Sequence, residues 1–507
     1  MTSRTVIAEK AAIAAAVLFL AAYFWHYWSG SLRAQFSADD LMNCHRAYFR
    51  PWSALLLDNV IFFRDTPVYR PFPALLYKAF FSTSGFDLYA FRVLVLAAAA
   101  VNVGLAGVVA YQLSGRREVG LLAALLFAWH ANYAPMLYNT GQIYDVFCFL
   151  FYFAALACFF KGRQTGRSYV GPVVALTALA LNSKEMAVSL PVMILLWELL
   201  ERRPEWGLVS VMRWMIRDAR TGLVAGLGVA LFLLERMRGP DSLTQVSAYQ
   251  PRISLANYLK QAGYYLGDVA YQTVEVGPVA AGAILLALLA LAVAARSRIL
   301  AWSWALFVVG LLPLAFIPPR GLAAAVIPFA GLTLYGAVLL DRLGRALASQ
   351  RVCKPPLLRG ISGFAMFGLA ATLLMLAHPR ADGFYQAMLE GEYARIRAAR
   401  HQLQAMYPNL APGARLLFAS DPFGDTYDIV FLVHLTYRTD RIVVDQLWRL
   451  KPPPDLAAYD HVLEWCEGRF VEILRRSERS IAQRRSHCSS QAKASSCIWT
   501  LNSWGAS

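Results

Sequence analysis

The sequence predicts an α-helical polytopic membrane protein with a small extracytoplasmic α/β domain towards its C-terminal end. Three observations predict it. Hydrophobic residues make up 58% of the 507 residues, and mean hydropathy is +0.44. Charged residues make up 16%, against about 25% in soluble domains. The apolar residues are gathered into long runs as far as about residue 380, where the composition changes.

A helix needs about 20 apolar residues to cross the hydrocarbon, fewer if its ends are polar. Runs near 11–28, 93–113, 119–136, 143–160, 169–182, 186–201, 221–235, 277–295, 299–317, 321–340 and 361–377 meet that need, which makes about 11 transmembrane helices. Arg4 and Lys10 ahead of the first run resemble the start of a signal peptide. No small-residue cleavage site follows the aromatic end FLAAYFWHYW, so a retained first span with an interfacial belt is expected.

Lys and Arg in the short connections set the orientation. SGRRE, KGRQTGR, ERRPEW…RWMIRDAR, RSR and DRLGRALASQRVCKPPLLR are basic and are expected in the cytoplasm with the N-terminus. The alternate connections HANYAPMLYNTGQ, NSKE and PPRG carry only Lys184 and Arg320. They face outside, as do the long segments 29–92 and 236–276 and, with an odd number of spans, the C-terminal region. A net charge of +16 would suit nucleic acid, but the basic residues fall between apolar runs. That distribution fits topology and anionic lipid headgroups, and no nucleic-acid partner is expected.

The seven cysteines are scattered, with no CxxC and no His/Cys cluster, so no zinc site is expected. Cys488 and Cys497 can pair if the C-terminus is outside.

The expected domains are a membrane domain over 1–380, an extracytoplasmic α/β domain over 381–474 and a disordered tail over 475–507. MLEGEYARIRAARHQLQAMY reads as an amphipathic helix. ARLLFAS and DRIVVDQLW read as strands, and DIVFLVHLTY as strand or helix, with Pro and Gly between them. The tail RRSERSIAQRRSHCSSQAKASSC is rich in Ser and Arg.

Polar residues on the outer side are Asp39, Asp40, Arg70, Asp145, Lys184, Glu185 and Arg320. Ionisable groups beside hydrocarbon are costly and so are functional candidates. In FSADDLMN, Ser37 can N-cap a helix, with Asp39 at its second and Asp40 at its third position. A capping box then accounts for Asp40. It accounts for Asp39 only through a dipole effect of under about 1 kcal/mol. Adjacent side chains on a helix diverge by about 100°, so Asp39 can face a cavity while Asp40 caps.

Arg70 lies in YRPF, stiffened by Pro71 and Pro73, and suits either a phosphate or an interfacial snorkelling role. Lys184 and Glu185 lie in SKEMAVSLP, where two spans join with almost no loop. They can form a local ion pair, or Lys184 can meet a lipid phosphate. Arg320, in PPRG, likewise breaks the charge rule of the outer turns. Asp145 opens a span, where a carboxylate can cap the helix.

Taken in order, the acidic pair Asp39-Asp40, the Arg-Pro of YRPF, the SKE hairpin before Leu-Pro and the late outer Arg of PPRG resemble the GT-C glycosyltransferases. These integral-membrane enzymes use sugars carried on polyprenyl phosphate. The resemblance covers about the first 340 residues and is nearest the protein O-mannosyltransferase-like branch. No tetratricopeptide repeat is present, which leaves glycan, lipid and protein acceptors open.

The resemblance implies a bacterial inner-membrane enzyme that transfers a hexosyl or pentosyl group from a polyprenyl-phosphate sugar with inversion. Asp39 would act as the base beside Asp40, with Arg70, Lys184 and Arg320 cradling the lipid phosphate. Asp145 and Glu185 would support them or, with Asp40, hold a divalent metal through oxygen ligands. The same cations would also serve a transporter or flippase of polyprenyl-linked or anionic lipid. Neither inverted repeats nor broken mid-membrane helices are legible for that alternative. A membrane scaffold would leave Lys184 and Arg320 unexplained.

Overall fold

The computed structural model describes residues 3–61, 70–238, 252–272, 274–350, 356–424, 426–452 and 454–475. Cys353, the expected Cys488–Cys497 pair and the tail beyond Arg475 lie outside the described residues. The chain divides into two compact units. The first takes Met1–Phe36 and Arg46–Glu390, and the second Ser37–His45 and Gly391–Ser507.

The first unit is helical. α1 (Ser3–Trp28) leads through a 3-10 turn (Ser29–Arg33) to α2 (Ala38–Tyr48), whose residues as far as His45 count with the second unit, and then come α3 (Trp52–Asp58) and α4 (Pro71–Ser84). The described residues of the segment 29–92, read from the sequence as a long connection, are therefore largely helical. Then follow α5 (Tyr89–Ser114), α6 (Arg117–Ala128), α7 (Ala134–Tyr138), α8 (Ile143–Thr165), α9 (Val170–Ser183) and α10 (Leu190–Glu201). α11 (Leu208–Arg217), α12 (Arg220–Arg238), α13 (Leu255–Val269) and α14 (Pro278–Ala294) come next. α15 (Arg298–Gly310), α16 (Leu312–Ala315), α17 (Val326–Gln350) and α18 (Pro356–Ala377) complete the series.

The apolar runs read from the sequence fall on helical stretches, but the run near 119–136 is split between α6 and α7 and that near 299–317 between α15 and α16. By length and composition, five helical stretches among the described residues can cross a membrane. A sixth is added if Arg117–Ala128 and Ala131–Tyr138, bent by 66°, count as one span. α9, α14 and the described part of α18 are shorter apolar helices.

Helix ends follow local chemistry. Gly115 and Gly166 take left-handed φ values of 68° and 69° after α5 and α8, where a Cβ would be strained. Ser254 and Ser297 accept the backbone N–H groups of Asn257 and Leu300 to cap α13 and α15. α5 and α6 touch backbone to backbone, and a Cβ on Gly107 would lie 2.9 Å from the Gly120 carbonyl oxygen. Polar groups buried between helices find carbonyls: Asn102 Nδ2 donates to Val146 at 2.9 Å and Trp302 Nε1 to Met193 at 2.9 Å. This is what a dry interior demands of every buried donor.

α19 (Pro379–Met406) carries the boundary between the units. The second unit holds a four-stranded sheet of order β2-β1-β3-β4. Its strands are β1 (Arg415–Phe418), β2 (Val443–Gln446), β3 (His461–Cys466) and β4 (Arg469–Arg475). β1 pairs in parallel with β2 and β3, and β3 runs antiparallel to β4. α20 (Asp428–Tyr437) is the crossover from β1 to β2. DIVFLVHLTY is thus helix rather than strand, because parallel neighbours need a crossover connection. Leu417, Tyr459 and Val462 centre a small core. Glu467 and Gly468, at φ 50° and 78°, close the β3–β4 hairpin.

Candidate active site

Within the first unit, four of the sequence-selected charges meet as two ion pairs. Asp145 lies in the first turn of α8, and Lys184 is the extended residue that ends α9. The carboxylate thus sits at a helix N-terminus and the ammonium at a helix C-terminus, the favoured arrangement for each. Lys184 Nζ donates to Asp145 Oδ1 at 2.5 Å, with side chains 12% and 4% exposed. Glu185 opens the 3-10 turn Glu185–Ser189 that leads into α10. Its Oε2 accepts from Arg70 Nη2 at 3.3 Å. Lys184 and Glu185 are therefore not each other's local partners; each reaches a distant residue.

Arg70 caps α4 with φ 70° and ψ 69°, left-handed backbone immediately ahead of Pro71. Such a conformation costs a non-glycine residue of order 1 kcal/mol and persists where its surroundings enforce it. Its guanidinium lies 4.4 Å from the centroid of the Tyr144 ring, a cation–π contact. Cys148, one turn along α8, donates its thiol to the Lys184 carbonyl at 3.5 Å. Arg320 lies exposed in the extended stretch before α17, and its backbone N–H donates to the Tyr265 hydroxyl at 3.3 Å. Tyr265 also feels the Asp145 charge.

Asp39 and Asp40 belong to the second unit. The capping box forms as read. Asp40 Oδ2 accepts from Ser37 N–H at 2.8 Å and from Ser37 Oγ at 2.9 Å, while Ser37 Oγ accepts the Asp40 amide at 3.3 Å. Asp40 is fully buried and Asp39 is exposed, so the two adjacent acids do diverge.

The Asp39 charge acts on two further acids of this unit. Glu392, on α19, accepts the Ala38 amide at 2.6 Å. Burial first, then the Asp39 and Asp428 charges, raise its carboxyl above the ordinary glutamate range. Asp428, in the first turn of α20, is raised by burial and then by Asp39, against a hydrogen bond from Thr426 at 2.7 Å. Among the described residues no group of three or more His, Cys, Asp or Glu side chains is arranged to hold a metal ion.

Sequence reasoning passed over several residues that shape these surroundings. Arg92 is 1% exposed and donates to the carbonyls of Ala34, Leu137 and Gln35 at 3.1, 3.0 and 2.6 Å. It ties the chain just ahead of Ser37 to the α7 segment. Lys78 donates to the Tyr48 and Arg50 carbonyls, both at 2.5 Å, at the C-terminal end of α2. The signal for Arg92 was an arginine opening an apolar run, and for Tyr144 an aromatic beside Asp145. Glu392 carried none.

No family model matches the chain. No curated protein matches it either. Among solved structures, ArnT from Cupriavidus metallidurans bound to undecaprenyl phosphate is similar, with a TM-score of 0.47 and 16% identity over 85% of this chain and 89% of that one. The likeness is too low for a function to rest on it.

Proposed function

We propose that the protein is a GT-C-type glycosyltransferase of a bacterial inner membrane, near the protein O-mannosyltransferase-like branch. It moves a sugar from a polyprenyl-phosphate donor to an acceptor on the outer side, with inversion. One observation carries the reading: Arg70, Asp145, Lys184 and Glu185, drawn from three separate stretches of sequence, meet as two ion pairs at the ends of apolar helices. Ion pairs removed from water are held there at a desolvation cost and are weak evidence of stability. Their retention beside hydrocarbon points to use.

In this reading Asp39 takes the acceptor hydroxyl proton. The acceptor oxygen attacks the anomeric carbon as the bond from that carbon to the phosphate oxygen breaks, and the electron pair leaves with the lipid phosphate. Arg70, Lys184 and Arg320 meet the charge that develops on that phosphate. Asp145 and Glu185 hold Lys184 and Arg70 in place, which is the function of a pre-set carboxylate partner. Asp40 keeps the helix start that presents Asp39. Attack on the face opposite the leaving group inverts the centre, as in the inverting glycosidases.

The test is release of lipid phosphate from a polyprenyl-phosphate sugar by the purified protein. Asp39→Asn should stop release while donor binding survives, and Lys184→Ala should weaken donor binding more than Asp39→Asn does. Unchanged donor affinity in the Lys184 variant would remove that residue from the phosphate contacts. Lipid movement with no sugar transfer would replace the enzyme reading with a flippase.

A further inference from the structure

We propose that Glu392 is a positioning residue for Asp39, and that α19 and α20 hold the helix bearing the acidic pair as part of the reaction machinery. The inference rests on the reading of Asp39 as the base.

The start of α2 is already served locally. The Ser37–Asp40 box satisfies the Ser37 and Asp40 amides by itself. Glu392 adds something the box does not: it accepts the amide of Ala38, the residue directly before Asp39, from 354 positions along the chain. First-turn amides have no partner inside their own helix. Fixing the Ala38 peptide therefore fixes the backbone on which the Asp39 side chain turns.

The other end of the segment is fixed as well. His434 Nε2 lies 2.8 Å from the Ile442 carbonyl, which can only accept, so Nε2 carries the proton. His434 Nδ1 then accepts from His45 Nε2 at 2.8 Å. Asp39 and His45 are six residues apart on α2, and Asp428 and His434 are six residues apart on α20. Asp39 acts on Asp428, His45 bonds His434, and the His45 ring lies 5.0 Å from that of Phe431, so α2 meets α20 through His45. α2 is thus gripped at its first turn by α19 and at His45 by α20.

The grip is costly in one respect. The Asp39 charge disfavours ionisation of both Glu392 and Asp428, while the Arg395 charge favours that of Glu392. A cap built only for stability needs no such crowding, whereas crowded carboxylates are common where a proton is handled.

The experiment uses the full-length protein. In Glu392→Ala, amide hydrogen exchange over residues 37–45 should rise about tenfold, the usual effect of losing a helix cap. With polyprenyl-phosphate mannose as donor, kcat should fall about tenfold with the donor KM unchanged. Glu392→Gln keeps an acceptor oxygen for the Ala38 amide and should restore both. A kcat and an exchange rate unaltered in Glu392→Ala overturn the inference. A fall in donor binding equal to the fall in kcat overturns it too, since that marks general loss of structure. Should Asp39→Asn turn over normally, the base assignment falls instead, and the exchange measurement still decides whether Glu392 anchors the segment.

Discussion

The two units handle charge in opposite ways. In the first, Arg70 meets Glu185 and Lys184 meets Asp145, one cation to one carboxylate. In the second, the Asp39 charge adds to burial in raising the carboxyls of Glu392 and Asp428. Matched pairs keep their geometry with or without a ligand, and in the proposed reading an arriving phosphate would share the cations without drawing them together. Like charges gain nothing from proximity, so the arrangement must be held by hydrogen bonds such as the one from Ala38 to Glu392. The difference separates charges matched in advance from a group held by its scaffold; in the proposed reading the first meet the phosphate and the second handles the proton.

The contrast can be broken most severely at its acidic side. Asp39→Asn should lower sugar transfer by about 10²- to 10⁴-fold, the usual contribution of a general base, with folding and donor affinity unchanged. Its measurement is single-turnover transfer alongside donor binding.

Next comes the paired side. Lys184→Met leaves Asp145 buried without its cation and should destabilise the first unit by about 3–5 kcal/mol. The double variant with Asp145→Asn should recover most of that, as read by thermal unfolding in detergent. A double variant as unstable as the single one would show that the pair is not matched as described.

Arg70→Lys keeps the charge but gives up the planar fork and much of the contact with Tyr144. It should weaken donor binding by about 1–2 kcal/mol, seen as a raised donor KM.

The smallest effect is a dependence on pH. Glu392 has a raised folded-state pKa, so its protonated form is the one the fold favours. Its contribution to stability is complete below the ordinary glutamate range and is lost as pH rises through the folded value. Glu392→Gln should therefore match the parent protein in acid and become the more stable of the two, by about 1 kcal/mol or less, as pH rises to neutrality. Thermal unfolding scans at pH 4 and pH 7 measure it.

What could be read from the sequence was local. Apolar runs marked where helices lie, because a run of that length has few other ways to be buried. The Ser37–Asp40 box was legible because its partners are three residues apart. The tight SKE hairpin was legible because there is no loop. Lys184 was expected either to pair with Glu185 or to meet a phosphate; its bond to Asp145 crosses 39 positions, and periodicity says nothing about which helix ends meet. Arg92 was hidden for the same reason, since three backbone carbonyls leave no side-chain signature. Glu392 lay in what read as an ordinary amphipathic helix, where an acidic residue looks like a solvated face. The β3–β4 hairpin carried only Glu-Gly at its turn, weaker than the Asn-Gly or Asp-Gly signal of such turns.

The discontinuous second unit has a consequence for biogenesis. Ser37–His45 leaves the ribosome near the beginning of synthesis, yet Glu392, Asp428 and His434 are translated only after nearly all the apolar helices. Until then the nine-residue piece has its own Ser37–Asp40 box but lacks its partners on α19 and α20. The last stage of maturation is then the delivery of a late-made segment to an early-made one, and a nascent chain stalled before residue 391 would hold its acidic pair without the scaffold that sets it.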